Sequence, residues 1–177
     1  MNKSTNGFTL IELMVTVVVI TILASVGTVT YSALRNRGHD TAVQADMLHI
    51  AKKMQETKIA NYATSAYPIG NTALETAVNL KVNKRAYMTS PAATYNLLFC
   101  YPTSTSPTQY VLLAQSKSGK RYSMTNSEKI TEYTGGVAWT TTAAMCDSVA
   151  TGWTANGAGY SSADTTTGPW RTWAGGN

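Results

Sequence analysis

Charge is scarce in this chain. Of its 177 residues only 13% are Asp, Glu, Lys or Arg, which argues against the charge-laced surface of an ordinary cytosolic enzyme. The formal net charge of +5 permits attraction to an anionic surface without demanding it. Catalytic signatures are also missing: no G-x-S-x-G, H-E-x-x-H, Walker-type or dinucleotide glycine pattern occurs. Enzymatic chemistry therefore has no visible foothold, and no cofactor is implied. Histidine is limited to His39 and His49, and the spacing of His49 from Asp46 is far more often a solvated pair than a metal site. Asp147 and Asp164 lack the Asp/Asn-rich run of a calcium loop. Cysteine is confined to Cys100 and Cys146, with no C-x-x-C or Cys/His spacing, which argues against zinc.

What the chain does have is a long apolar run. From Leu13 to Leu34 no residue is charged, and with Phe8 to Ile11 ahead of it the stretch exceeds the roughly 20 residues a helix needs to cross a bilayer. A small residue, Gly7, precedes the run behind the polar leader MNKSTN. Secretory signal peptides place their small-residue cleavage site after the apolar region, so cutting at Gly7 would leave the helix on the mature protein. Glu12 is the one acid at the mouth of this run. An ionised carboxylate near a bilayer centre costs roughly 2.5 to 3.5 kcal/mol, less near a helix end. The free amides of the first helical turn and a positive terminus would both favour it.

The leader with Lys3, then Gly7, Phe8, Thr9, Leu10, Ile11 and Glu12, and a run of membrane length directly behind them, resembles the N-terminus of type IV prepilins and pseudopilins. The pattern is specific because small residue, aromatic, acid and long run occur together. The resemblance implies that prepilin peptidase removes residues 1–7 by cutting after Gly7, and that Phe8 becomes a methylated terminal amine. It further implies that Glu12 of an incoming subunit pairs with the Phe8 amine of a subunit already in a filament, where either charge left unmet in low dielectric would be costly. The implied partners are membrane lipid before assembly, an assembly ATPase with its platform machinery, and further copies of the chain in a helical homo-oligomer. Many pilins carry a helix-breaking proline in the apolar segment. This chain has none there, and Gly27 is the residue that could loosen the helix instead.

Behind a leader at 1–7 and a membrane or filament-core helix at 8–34, residues 35–177 read as an extracytoplasmic head. The positive-inside rule does not orient the span, because Lys3 and the amino terminus oppose Arg35 and Arg37. The cysteines do: in an exported domain Cys100 and Cys146 are most simply a disulfide, the alternative being two buried thiols. A closed loop of that length is worth about 3 to 4 kcal/mol. Val43, Met47, Ile50, Ala51 and Met54 recur at helical spacing, while Gln44, Asp46, Lys52, Lys53 and Glu56 fall elsewhere. The helix therefore continues as an amphipathic segment, with a bend at Gly38 and an end near Ser65. A short helix is expected over 72–80, and strands over 94–101, 109–116, 120–125 and 129–133. The expected fold class is α+β: a long N-terminal helix, apolar then amphipathic, packed on a small antiparallel sheet. The Thr- and Gly-rich end carries Trp153, Tyr160, Trp170 and Trp173, aromatics expected to anchor part of it to the sheet.

Two basic clusters, Lys81, Lys84 and Arg85 near Tyr87, and Lys117, Lys120 and Arg121 near Tyr122, could bind nucleic-acid phosphate if they shared one exposed face. A merely solvated face is the plainer reading. Arg35 and Arg37 are explained by lipid headgroups. Taken together, the expectation is a structural subunit of a type IV pilus serving adhesion, motility or DNA uptake, held in the cytoplasmic membrane and then displayed on the cell surface. The alternatives are a minor pilin or pseudopilin of a type II secretion or competence apparatus, and a membrane-tethered adhesin or DNA-binding module.

Overall fold

A computed structural model describes residues 7–60, 67, 82–87, 96–102, 108–136, 142–149, 153 and 159–160. The chain divides into two compact units, Met1–Asn36 and Arg37–Asn177. Helix α1 (Leu10–Ala60) is continuous in sequence through both Gly27 and Gly38.

In the first unit the helix is bare. Its large apolar side chains are exposed from Phe8 at 81% down to Val19 at 48%, with no side covered among the described residues. A helix that is apolar all round is stable only in lipid or among other helices. Four of its hydroxyls do not compromise that surface. Thr16, Thr21 and Ser25 donate to the carbonyls of Leu13, Val18 and Ile22, and Thr30 to that of Val26, at 2.7 to 3.0 Å. Hydroxyls turned back onto the backbone offer hydrocarbon few unsatisfied polar groups.

The second unit is built on the amphipathic part of α1. Val43, Met47, Ile50, Ala51 and Met54 are completely buried, as their spacing predicts. They face an antiparallel sheet of β1 (Leu97–Cys100), β2 (Val111–Gln115), β3 (Arg121–Thr125), β4 (Ile130–Glu132) and β5 (Gly159–Tyr160), in the spatial order β4-β3-β2-β1-β5. Register pairs Phe99 with Leu112 and Leu112 with Met124, so these three share the inner face. Leu97, Tyr101, Ala114 and Tyr122 join them in one core with the α1 stripe. Tyr67 and Tyr110 meet edge to face at 4.7 Å in the same core. Four strands fall inside the four expected segments. β5, in the Thr- and Gly-rich end, was not expected.

The outer face is covered as well. Leu98, Cys100, Val111 and Leu113 form a second cluster with Met145 and Cys146 of a short helix α2 (Thr142–Asp147), and Tyr133, Val149 and Trp153 pack against it. Periodicity does not reveal α2, yet two-sided burial is what makes β1 and β2 apolar at successive positions rather than alternating. The Cys100–Cys146 disulfide joins β1 to α2, with Cα atoms 5.6 Å apart and a sequence separation of 46. Trp153 and the β5 pairing to β1 tie part of the C-terminal region to the sheet. The expected helix end near Ser65, the helix over 72–80, and Asp164, Trp170 and Trp173 lie outside the described residues.

One expectation is corrected. Asp46 does not fall on the solvated side: it is 8% exposed, and its Oδ2 accepts hydrogen bonds from the Asn83 amide at 2.9 Å and the Tyr87 hydroxyl at 3.0 Å. It is a buried clasp between α1 and the 3₁₀ turn at Lys84–Ala86, not half of a solvated pair with His49, which is exposed. Burial raises its carboxyl above the ordinary value, although the two donors and nearby His49 pull it back.

Two outcomes follow. Replacing both Cys100 and Cys146 by Ala should remove about 3 to 4 kcal/mol of head stability, read as a lower urea midpoint for the full chain in detergent; an unchanged midpoint would show that the bond adds nothing. Because the folded Asp46 carboxyl titrates above its unfolded value of about 3.9, the folded state binds more protons, so stability falls as pH rises through that window and is flat above it. Asp46→Asn keeps an oxygen for both donors and should abolish that slope with no loss of stability at neutral pH. Asp46→Ala, which strands both donors, should cost about 1 to 3 kcal/mol.

Candidate functional site

Residues 7–9 precede α1 in non-helical conformation, and the first helical turn is closed by Thr9 and Glu12. The Glu12 carboxylate oxygen Oε2 accepts from the Thr9 amide and from the Thr9 hydroxyl, each at 2.8 Å. In return the Thr9 hydroxyl oxygen accepts from the Glu12 amide at 3.3 Å. This is a capping box, in which an N-cap Thr and a Glu three residues later satisfy amides that the helix itself cannot. The carboxylate also sits where the helix dipole favours negative charge. Glu12 is therefore partly answered within its own chain, as its place at the helix start suggested. Thr9 is the partner that reading the acid by itself missed. Its signal was present in sequence, as T-x-x-E immediately ahead of an apolar run.

Gly7 and Phe8 lie directly before this cap, and Phe8 is 81% exposed. A Cβ built on Gly7 meets nothing within 4 Å, so the described residues give no internal reason for glycine there. Phe8 and Glu12 share the segment, but both hydrogen bonds accepted by Glu12 come from Thr9. Cys100 and Cys146 are placed in the head, as the disulfide described above. Among the described residues no group of three His, Cys, Asp or Glu side chains could hold a metal. His39 and His49 lie on α1 and Asp147 ends α2.

Of the two basic clusters, Arg85 and the Lys117–Arg121 turn are brought side by side; Lys81 and the Lys84 side chain lie outside the described residues. The Lys117 amide donates to the Ala86 carbonyl at 2.8 Å, and Tyr87 bridges to Ser116. The β2–β3 turn thus lies against the turn that carries Arg85.

Residues 2–28 match the family described as the prokaryotic N-terminal methylation motif. This is the processing signal typical of type IV pilins and pseudopilins, and the α+β arrangement behind it, a long N-terminal helix on an antiparallel sheet, is pilin-like. The chain thus carries, over residues 2–28, a signal of the kind found in type IV pilins and pseudopilins. No curated protein and no solved structure matched it.

If the capping box orders the start of α1, Thr9→Val should speed amide exchange at Thr9 and Glu12 several-fold while leaving the head's exchange unchanged, and Thr9→Ser should restore protection. Equal exchange in Thr9→Val and the parent chain would show that the cap contributes no order.

Proposed function

We propose that this chain is a structural subunit of a type IV pilus. Residues 8–34 hold it in the cytoplasmic membrane with residues 35–177 outside; prepilin peptidase cuts after Gly7, and the new Phe8 amine is methylated. Subunits then leave the membrane and pack helix to helix into a surface filament, drawn by an assembly ATPase and its platform. The observation that carries this reading is the all-round bare apolar helix directly behind the matched processing signal. Lipid covers that surface before assembly, and neighbouring helices cover it afterwards. Gly7 fits the same reading, because a residue with no internal packing reason for being small is suited to recognition by a protease.

Glu12 is assigned the pairing role. In an apolar filament core it meets the Phe8 amine of a neighbouring subunit and sets axial register. The pair matters chiefly because a single unmet charge in low dielectric is so unfavourable. The head does structural work, and no part of the reading requires catalysis.

The test is mass spectrometry of the N-terminal peptide from filaments sheared off intact cells, for the parent chain and for Glu12→Val. The parent should be abundant in the sheared fraction and begin at a methylated Phe8. Glu12→Val should be inserted and cleaved but depleted from that fraction at least tenfold. A cleaved parent chain confined to membranes would instead indicate a pseudopilin or minor component, and normal filament yield from Glu12→Val would sink the pairing role.

A further inference from the structure

Among the described residues, apolar groups cover only part of the outer face of the sheet. Helix α2 and the disulfide close it over Leu98, Cys100, Val111 and Leu113 of β1 and β2. Register carries the same face onto Thr125 and Ser123 of β3, opposite Val111 and Leu113, and then onto Thr131 of β4, opposite Ser123. The pleat therefore collects small hydroxyls on the part that α2 does not reach, and Thr125 and Thr131 are exposed.

This part of the face is concave. Ser123, Thr125 and Thr131 line a groove of about 440 Å³ together with Tyr133, Gly135 and Ser148, a size that suits a small ligand. Tyr133 follows β4 directly, its amide donating to the Arg121 carbonyl at 2.8 Å. A Cβ on Gly135 would collide with the Tyr133 ring and hydroxyl, so glycine is what lets the ring lie against the chain there. Packing against the outer cluster holds the ring further. The hydroxyls have an acceptor bias. Ser123 and Thr131 bond to each other at 2.9 Å, and Thr131 also reaches the Ser123 carbonyl at 3.3 Å; Thr125 and Ser127 share a bond at 2.8 Å. A hydroxyl has one proton but two lone pairs, so these bonds spend protons and leave an excess of lone pairs. Among the described lining residues the one charged side chain is Glu132, and the Lys120 ammonium already meets it at 2.9 Å.

We propose that this groove binds a neutral oligosaccharide. Its ligand must bring donor protons without charge and offer an apolar face to a fixed aromatic ring. Sugars do both: their hydroxyls donate, and their weakly positive ring C–H groups suit the negative face of a tyrosine ring. An anion would meet a carboxylate and an excess of lone pairs, and a cation would meet a carboxylate already engaged. A ring fixed before the ligand arrives adds little ordering cost on contact. Binding of this kind needs only the head, not cleavage at Gly7 or assembly, so it can fail while the pilus reading stands.

The test is saturation-transfer NMR. The full chain in dodecylphosphocholine, a detergent without sugar, is mixed with chitotriose, cellotriose, maltotriose and lacto-N-tetraose, and with sialyllactose as an anionic counterpart. At least one neutral oligosaccharide should receive saturation from the protein. Its affinity should fall roughly fivefold for each hydroxyl removed in the double variant Thr125→Val with Thr131→Val, which keeps the β-branched shape at exposed strand positions and should leave the urea midpoint unchanged. Gly135→Ala, which displaces the Tyr133 ring, should weaken binding as well. Saturation of no neutral sugar, or equal affinity in the parent chain and either variant, would overturn the proposal. Binding of sialyllactose in preference to every neutral sugar would assign the groove to anions and overturn it too.

Discussion

Burial of one stripe of α1 is the constraint on which the head depends. Val43, Met47, Ile50, Ala51 and Met54 have no exposed surface, and among the described residues no other α-helix joins the core on the inner face of the sheet. Short strands with one uncovered apolar face are marginal. The same contact serves the helix, because nucleation is the unfavourable step of helix formation and tertiary packing supplies most helical stability in proteins. A packed segment therefore gives the bare segment a helix to propagate from. The outer face is secured differently, by the disulfide and by a helix of only six residues, too short to hold itself.

The apolar run and the head answer opposite solvents. In the head, polar groups are paired across long sequence distances, as Asp46 is with Asn83 and Tyr87. In the run, the hydroxyls of Thr16, Thr21, Ser25 and Thr30 bond within one turn of themselves, so these four need no partner outside the helix. On the proposed reading, that local self-sufficiency lets the same helix be covered by lipid or by other helices. A network of polar contacts between subunits would have fixed one environment.

How much of this was legible in the sequence follows from which interactions are local. The α1 stripe was, because helical period alone sorts Val43, Met47 and Met54 onto one side. The strands were, because turn residues such as Gly119 bracket apolar runs. Asp46 was misplaced by its residue type. Its position, three after Val43 and four before Ile50, puts it on the buried stripe, and only the unforeseen donors Asn83 and Tyr87 make a carboxylate tolerable there. Helix α2 left no readable mark, since six residues are less than two turns and its anchor is a covalent bond to a distant strand. In the candidate site, Gly7, Phe8 and Glu12 stood out through the signal pattern, whereas Thr9 was hidden by attention to the charge it caps.

The capping box also bears on how one carboxylate can serve two purposes. Both Thr9 bonds fall on Oε2 of Glu12, and Oε1 makes no hydrogen bond among the described residues. A carboxylate has acceptor sites on both oxygens, so an amine arriving at Oε1 need not displace Thr9. The intrachain bonds lower the cost of holding a charge at the mouth of an apolar run, but two bonds from neutral donors cannot neutralise it. The residual charge is the part left for a cation to meet. On the proposed reading that cation is the Phe8 amine of a neighbour, which carries no charge until the leader is removed. Cleavage after Gly7 would then do more than trim the chain: it would create the cation on which the remaining oxygen of Glu12 can act, so that processing precedes assembly for an electrostatic reason.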